Sequence, residues 1–237
     1  DYDFNDVVLD VETYYHREKK TNHIKRIQLD VTLAAAGASK PLGVGLRITG
    51  INKSDIREIK TGGDDSRFQE SFNSSYNKFR YNNVTYMEDS DPSVVIPIAG
   101  EVHNVFGVEP GEMVNTGIGV TAKETDQTRT EPLFSKDNLD FFICYQYKSM
   151  EQRMEVHLYE FWGYGATAAG TIQQENLDLA GNNTWAICVP YGFRYPKETI
   201  NVSRTDIPEA SAYPEFIYWA QDRTQYTEWY EHPVEEN

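Results

Sequence analysis

The chain has 237 residues, enough for one large domain or two small ones with a real core. Its 37 acidic residues against 22 basic ones give a formal net charge of −15, which argues against nucleic acids and anionic lipids, since both need clustered Lys and Arg. No apolar run approaches the roughly 20 residues of a membrane-spanning helix.

The chain opens on Asp1-Tyr2-Asp3-Phe4-Asn5-Asp6-Val7-Val8. Four short oxygen-bearing side chains, Asp1, Asp3, Asn5 and Asp6, fall within six positions. A calcium ion takes about six to eight oxygens, and alternating Asp and Asn on a tight loop supply them economically. Asp1, Asp3, Asn5, the carbonyl of Val7 and Glu12 follow much of a helical calcium loop. Asp6 stands where that loop wants glycine, and a strand pattern follows, so this is not an EF-hand. The alternative reading is a turn whose Asx side chains bond the local backbone. A calcium ion here draws its remaining ligands from elsewhere.

Residues 7–15 and 24–33 alternate with a period of two and predict a hairpin of long antiparallel strands around a charged turn at 17–23. Leu9, Val11, Leu29 and Val31 are its expected buried residues. A further strand is expected at 42–48, where Gly43 and Gly45 mark a bulge or a close backbone approach. Ser54 to Lys60 reads as a short helix or a strand. Residues 66–92, rich in Asn, Ser and Tyr, read as a long loop or irregular strands, with an irregular insertion near 50–92.

Strands follow at 94–98, 117–122, 139–147, 153–159 and 185–190, with Phe142 and Val156 buried. After Pro196 the pattern turns helical around Phe216, Trp219 and Ala220. The fold class is therefore all-β: an antiparallel β-sandwich, jelly-roll-like, with one or two short C-terminal helices, over a single domain of residues 1–237. Cys144 and Cys188 lie in apolar stretches and are expected as buried free thiols on core strands.

The opening motif resembles the signature of LruC-type domains. Asn138-Leu139-Asp140-Phe141-Phe142-Ile143 and Arg153-Met154-Glu155-Val156-His157-Leu158 resemble two of that family's strands. Trp185 to Pro190, Tyr195 to Glu198, Ala212 to Phe216, Trp219-Ala220 and Trp229-Tyr230 resemble its C-terminal block. The resemblance implies a secreted or lipid-anchored surface module of Bacteroidetes and other Gram-negative bacteria. It carries no enzymatic activity with it, and because the segment of Asp140 recurs in that family it implies Asp140 as a candidate for the remaining calcium ligands, with Asp137 nearby. Since the chain opens inside a motif, a signal or anchor segment is expected outside this stretch.

No Gly-x-Ser-x-Gly elbow, His-Glu-x-x-His or phosphate loop is present. His157, with Glu155 and Tyr159 on the polar face of its strand, is a candidate catalytic or zinc residue; a half-exposed strand explains it equally well. Trp162, Tyr164, Trp185, Tyr191, Trp219, Trp229 and Tyr230 are candidates for stacking on sugar rings, against the reading that they fill the core. The expected function is a non-catalytic cell-surface module for adhesion or ligand binding, stabilised by calcium. The alternative is a carbohydrate-binding or glycan-processing accessory domain. The expected partner is a surface ligand such as a glycan, with no nucleic acid and no membrane span.

Overall fold

A computed structural model describes residues 6–22, 24–62, 66–80, 85–88, 93–108, 120–127, 138–146, 153–158, 186–190, 192–196, 200–203 and 211–234. The strands in chain order are β1 (Val8–Arg17), β2 (Ile24–Ala35), β3 (Gly43–Asn52), β4 (Ile56–Gly62), β5 (Ser93–Ala99), β6 (Val120–Gln127), β7 (Leu139–Tyr145) and β8 (Met154–His157). Among the described residues three short helices accompany them: α1 (Ser66–Glu70), α2 (Val102–Phe106) and α3 (Phe216–Gln221).

The strands form two four-stranded antiparallel sheets, ordered β1-β2-β6-β4 and β5-β3-β7-β8. This is the all-β, sandwich-like architecture that the period-two runs predict. Ile27, Leu29, Val31 and Leu33 on β2 share one core with Val44, Leu46 and Ile48 on β3 and Val94, Ile96 and Ile98 on β5. Their polar alternates on β2, Gln28, Asp30 and Thr32, stay half-buried. β1 lies at the edge of its sheet and pairs with β2. Leu9 and Val11 are consequently only half-buried, less than the pattern predicts.

Ser54 to Lys60 is resolved into a 3-10 turn at Lys53–Asp55 that leads into β4. The turn begins with a capping box: the Asp55 carboxylate accepts from the Asn52 backbone N–H at 3.0 Å. β6 runs from 120 to 127, later than the expected 117–122, and residues 117–119 lie outside the described set. Residues 186–190 carry no ladder pairing, although Ile187 and Val189 pack with the C-terminal cluster. There the alternation marks an extended chain laid on a small core, not a core strand.

The second sheet is buried on both faces, and this is the chief departure from the sequence pattern. Val44, Leu46 and Ile48 point to the shared core, while Gly43, Gly45 and Arg47 lie on the opposite face and are also buried. The segment expected as a loop covers that face. Within it α1 and the 3-10 turn Ser71–Asn73 bury Phe68 and Ser71, and Phe79 lies beyond them. Ser71 Oγ donates to the Phe68 carbonyl at 2.7 Å and accepts from the Gly100 N–H at 2.9 Å. The Glu88 N–H donates to the Val95 carbonyl at 2.9 Å, so the segment returns to the β5 edge.

Gly45 is required by this double burial. A Cβ there would stand 2.5 Å and 2.8 Å from the Phe142 ring, while a register shift beside it kinks the β3–β5 pairing. Both sequence readings of the glycine therefore hold together. Gly45→Ala forces the Phe142 ring out of its place, and the expected destabilisation is about 1–3 kcal/mol, the range for overpacked cores. Chemical denaturation of the variant measures it, and an unchanged midpoint would contradict the packing described.

Candidate functional site

The outward face of the second sheet gathers six ionisable side chains. The registers Arg47↔Asp140 and Phe142↔His157 set Arg47, Asp140, Phe142 and His157 beside one another across β3, β7 and β8. Cys144↔Glu155 extends the same face. Arg153, just before β8, and Glu88, from the covering segment, complete the group. All six residues, Arg47, Glu88, Asp140, Arg153, Glu155 and His157, are buried.

Their bonding is dense. His157 Nδ1 lies 2.6 Å from Asp140 Oδ2, and His157 Nε2 lies 3.0 Å from Glu155 Oε2. Arg47 Nη2 donates to Glu155 Oε2 at 3.3 Å. Arg153 Nε donates to Glu155 Oε1 at 2.9 Å. The same guanidinium makes a two-pronged contact with Glu88, with Nη2 to Oε2 at 2.7 Å and Nη1 to Oε1. Glu88 Oε1 also accepts from the Arg80 N–H at 2.8 Å. The rings take part as well: His157 stacks on Phe142 at 4.9 Å, and the Arg153 guanidinium lies 4.9 Å over Phe79.

A carboxylate at each ring nitrogen leaves no place for a bare nitrogen lone pair on His157, since ionised carboxylates only accept. Burial opposes a charge on His157, but the hydrogen bonds and charges of Asp140 and Glu155 outweigh it and hold its pKa above the usual 6.5. Burial raises the Asp140 carboxyl, with His157 and Arg47 opposing. Burial also works against charge on Glu155, yet His157 and Arg153 overcome it and its pKa is lowered. With His157 protonated, three cations meet three carboxylates and the buried group is neutral. Burial pushes the Cys144 thiol beside it up to about 12, which keeps it an uncharged thiol.

A second buried pair locks α2. Glu101 caps the helix by accepting from the His103 and Asn104 N–H groups, and its carboxylate lies 2.8 Å from His103 Nδ1. His103 Nε2 lies 2.9 Å from the Ala38 carbonyl. The buried His103 ring is thus held between its own helix cap and the Ala38 carbonyl.

The C-terminal residues build a separate aromatic cluster. Tyr213, Phe216 and Trp229 are buried in it, with Phe193, Trp219 and Tyr230 packed alongside. Phe216 and Tyr213 meet the Trp229 ring edge-on at 4.9 Å and 5.4 Å. Two tyrosines of this unit stay outside the cluster: Tyr218 and Tyr226 are exposed, with ring centroids 5.2 Å apart.

The residues singled out in the sequence are placed as follows. Asp1, Asp3 and Asn5 lie outside the described residues, as do Tyr159, Trp162, Tyr164, Trp185 and Tyr191. Asp6 is exposed, and its carbonyl accepts from the Gly37 and Ala38 N–H groups at 3.2 Å and 3.4 Å. Asp140 is brought together with His157 and Arg47. Among the described residues no group of three or more His, Cys, Asp or Glu is placed to hold a metal ion. His157 and Glu155 do share a face, but it is buried rather than half-exposed. Trp229 fills the small core, Tyr230 is half-buried, and Trp219 carries the Arg223 guanidinium 3.7 Å over its ring. Cys144 is buried on β7 as expected. Cys188 is exposed and off any strand, because its segment lines the C-terminal cluster with Ile187 and Val189 instead. Arg47, Arg153 and Glu88 were missed. Their signal was an arginine inside the apolar run Gly43 to Ile48, and alternating charges at 153, 155 and 157.

Among known proteins, the family described as a domain of unknown function, DUF4842, matches residues 22–230. A crystal structure of a Bacteroides ovatus protein, described as a candidate lipoprotein, superposes with a TM-score of 0.55 at 16% identity. The match covers 100% of this chain and 70% of that one, and it shows a shared fold. No curated protein matches the chain. No helix among the described residues is long and apolar enough to cross a membrane.

Two outcomes follow from the buried group. His157 and Asp140 have raised pKa values, so each contributes stability that is full below its unfolded value and fades as pH rises through its folded value. Glu155 has a lowered pKa, so its contribution is present above the usual 4.5 and fades as pH falls through its folded value. The melting temperature should therefore fall as pH rises above the ordinary histidine value of 6.5. His157→Gln should flatten that alkaline limb and cost about 3–5 kcal/mol by leaving the buried Asp140 carboxylate without its bonded cation, Glu155 keeping Arg47 and Arg153. Thermal melts of both proteins across pH 5 to 9, about the range of histidine titration, check this. The second outcome concerns the thiols. Iodoacetamide applied to the native protein should modify Cys188 and spare Cys144, as peptide mass spectrometry would show.

Proposed function

The chain belongs to the DUF4842 family, and we propose that it is a non-catalytic, secreted cell-surface module for adhesion or ligand binding. The observation that carries this reading is the state of the reactive side chains. Among the described residues His157, Asp140 and Glu155 are the groups best suited to acid–base work, yet they are buried and bonded to one another and to Arg47 and Arg153. A general acid or base must come within hydrogen-bond reach of a substrate proton. These groups spend their polarity on holding the covering segment to the second sheet. The groups facing outward include tyrosines, which serve contact rather than chemistry.

The residue resemblance to LruC-type domains, together with the fold shared with a candidate lipoprotein, supports a location at the bacterial cell surface. The same reading places a calcium ion on the loop of Asp1, Asp3, Asn5 and Asp6, whose hard oxygen donors suit it. The Asp140 carboxylate, bonded to His157, is less suited to complete that set. A second reading, a carbohydrate-binding accessory domain, is favoured by the exposed Tyr218–Tyr226 pair.

Incubation with immobilised polysaccharides and extracellular-matrix proteins tests the proposal. Retention on at least one surface is expected, with the immobilised polymer recovered chemically intact. Retention on none, or release of cleaved fragments, would contradict it. Melting curves in calcium and in EDTA test the ion: native-state binding at about 100 times Kd raises stability by about 2.7 kcal/mol. Identical curves would remove calcium from the account.

A further inference from the structure

We infer that Tyr218 and Tyr226 form a binding platform for a neutral carbohydrate. This rests on the reading of the chain as a ligand-binding surface module and names the site and the ligand class. The first observation is the backbone of Tyr226. Its φ is +50°, in the left-handed region that bulky side chains rarely adopt. Glycine or asparagine would occupy that position with less strain. Tyr86 offers a comparison: at φ +56° it is half-buried and packs against the main core. Tyr226 has no such burial, since 47% of it is exposed. An exposed aromatic ring held in a strained backbone points to a role at the surface.

The second observation is what the strain positions. The Tyr226 ring lies 5.2 Å from that of Tyr218, tilted by 33°, and Tyr218 is itself 49% exposed in the middle of α3. Of the four exposed large hydrophobics among the described residues, these two are in contact with each other. The turn between them is held from both sides. Asp222 accepts from the Thr224 N–H and hydroxyl and from the Gln225 side-chain amide, at 3.0, 2.7 and 2.7 Å. The Tyr226 carbonyl accepts from the Trp229 N–H at 3.0 Å, which anchors the turn to the buried tryptophan. The platform is therefore fixed before any ligand arrives, which lowers the ordering cost of binding.

The third observation is the chemistry at the rim. Flat apolar rings beside carboxylate, hydroxyl and amide groups match a sugar, which has an apolar C–H face and a hydroxylated edge. Asp222, Glu228 and Glu231 are exposed around the turn, and the chain as a whole carries −15. An acidic polysaccharide would be repelled, so the ligand is a neutral one.

Affinity electrophoresis of the full chain through gels containing neutral glucan, xylan, mannan or galactan tests this, with polygalacturonate as the acidic comparison. Retardation by at least one neutral polymer and none by polygalacturonate is expected. Tyr226→Gly is the informative variant. It relieves the positive φ, so its melting temperature should hold or rise, while its affinity should fall about tenfold through loss of the ring. Tyr218→Ala should lose affinity to a similar degree. A Tyr226→Gly variant that melts lower and binds normally would mean that the ring serves only packing, and would overturn the platform. Binding by the unmutated chain that survives both substitutions would overturn this site and leave the surface-module reading standing. Failure to bind any neutral polymer, with retention on a matrix protein, would reject carbohydrate as the ligand and keep the module reading. Failure on both kinds of surface would reject the two together.

Discussion

His157, clasped between the carboxylates of Asp140 and Glu155, is the constraint on which the second sheet depends. Its proton is what makes the six-residue group electrically neutral, and neutrality is what makes the burial of five other ionisable groups tolerable. Buried ion pairs add little to stability compared with well-packed apolar groups, but they are costly to leave incomplete. They therefore act mainly as a specification. Glu88 must arrive at Arg153 from the covering segment, whose Phe79 lies beneath the guanidinium. The close approach of Gly45 to Phe142 follows from the same requirement, because the Phe142 ring carries His157 stacked on it.

This arrangement divides the molecule into parts with different duties. The shared core between the sheets gains from plain apolar burial of β-branched residues and leucines. The outer face of the second sheet is held by charge and aromatic stacking. The C-terminal unit is held by rings packed edge-to-face around Trp229. Only the last of these leaves a pair of adjacent aromatic side chains open to solvent among the described residues. Among the described residues His157, Asp140 and Glu155 are turned inward, while Tyr218 and Tyr226 face solvent.

How far this was legible in the sequence follows from what each signal measures. The alternation at 24–33 reads burial on one face of a strand, and Ile27, Leu29, Val31 and Leu33 obey it. It says nothing about strand position in the sheet, which is why Leu9 and Val11 on the edge strand were read as more buried than they are. The polar face of 153–158 was read as half-exposed because a period of two assumes that polar residues meet water. Here they meet one another under a covering segment. That segment was opaque because its Asn, Ser and Tyr content hides the two residues that dock it, Phe68 and Phe79, at no regular spacing. Cys188 was misread for a related reason: five apolar-looking residues mark burial in some cluster, not necessarily in a sheet. The exposed tyrosines carried no sequence signal at all. Tyr218 sits next to Trp219 in the helical pattern, and the left-handed backbone of Tyr226 is a property of the folded turn.

The most direct test of the account is the protonation state of His157, read from the ring nitrogens of the labelled protein by heteronuclear magnetic resonance during a pH titration. An imidazolium with both nitrogens protonated is expected at neutral pH, giving up its proton only above the ordinary histidine value of 6.5. A neutral ring in a single tautomer at neutral pH would contradict it, for the buried group would then carry an uncompensated negative charge and could not be what holds the covering segment in place.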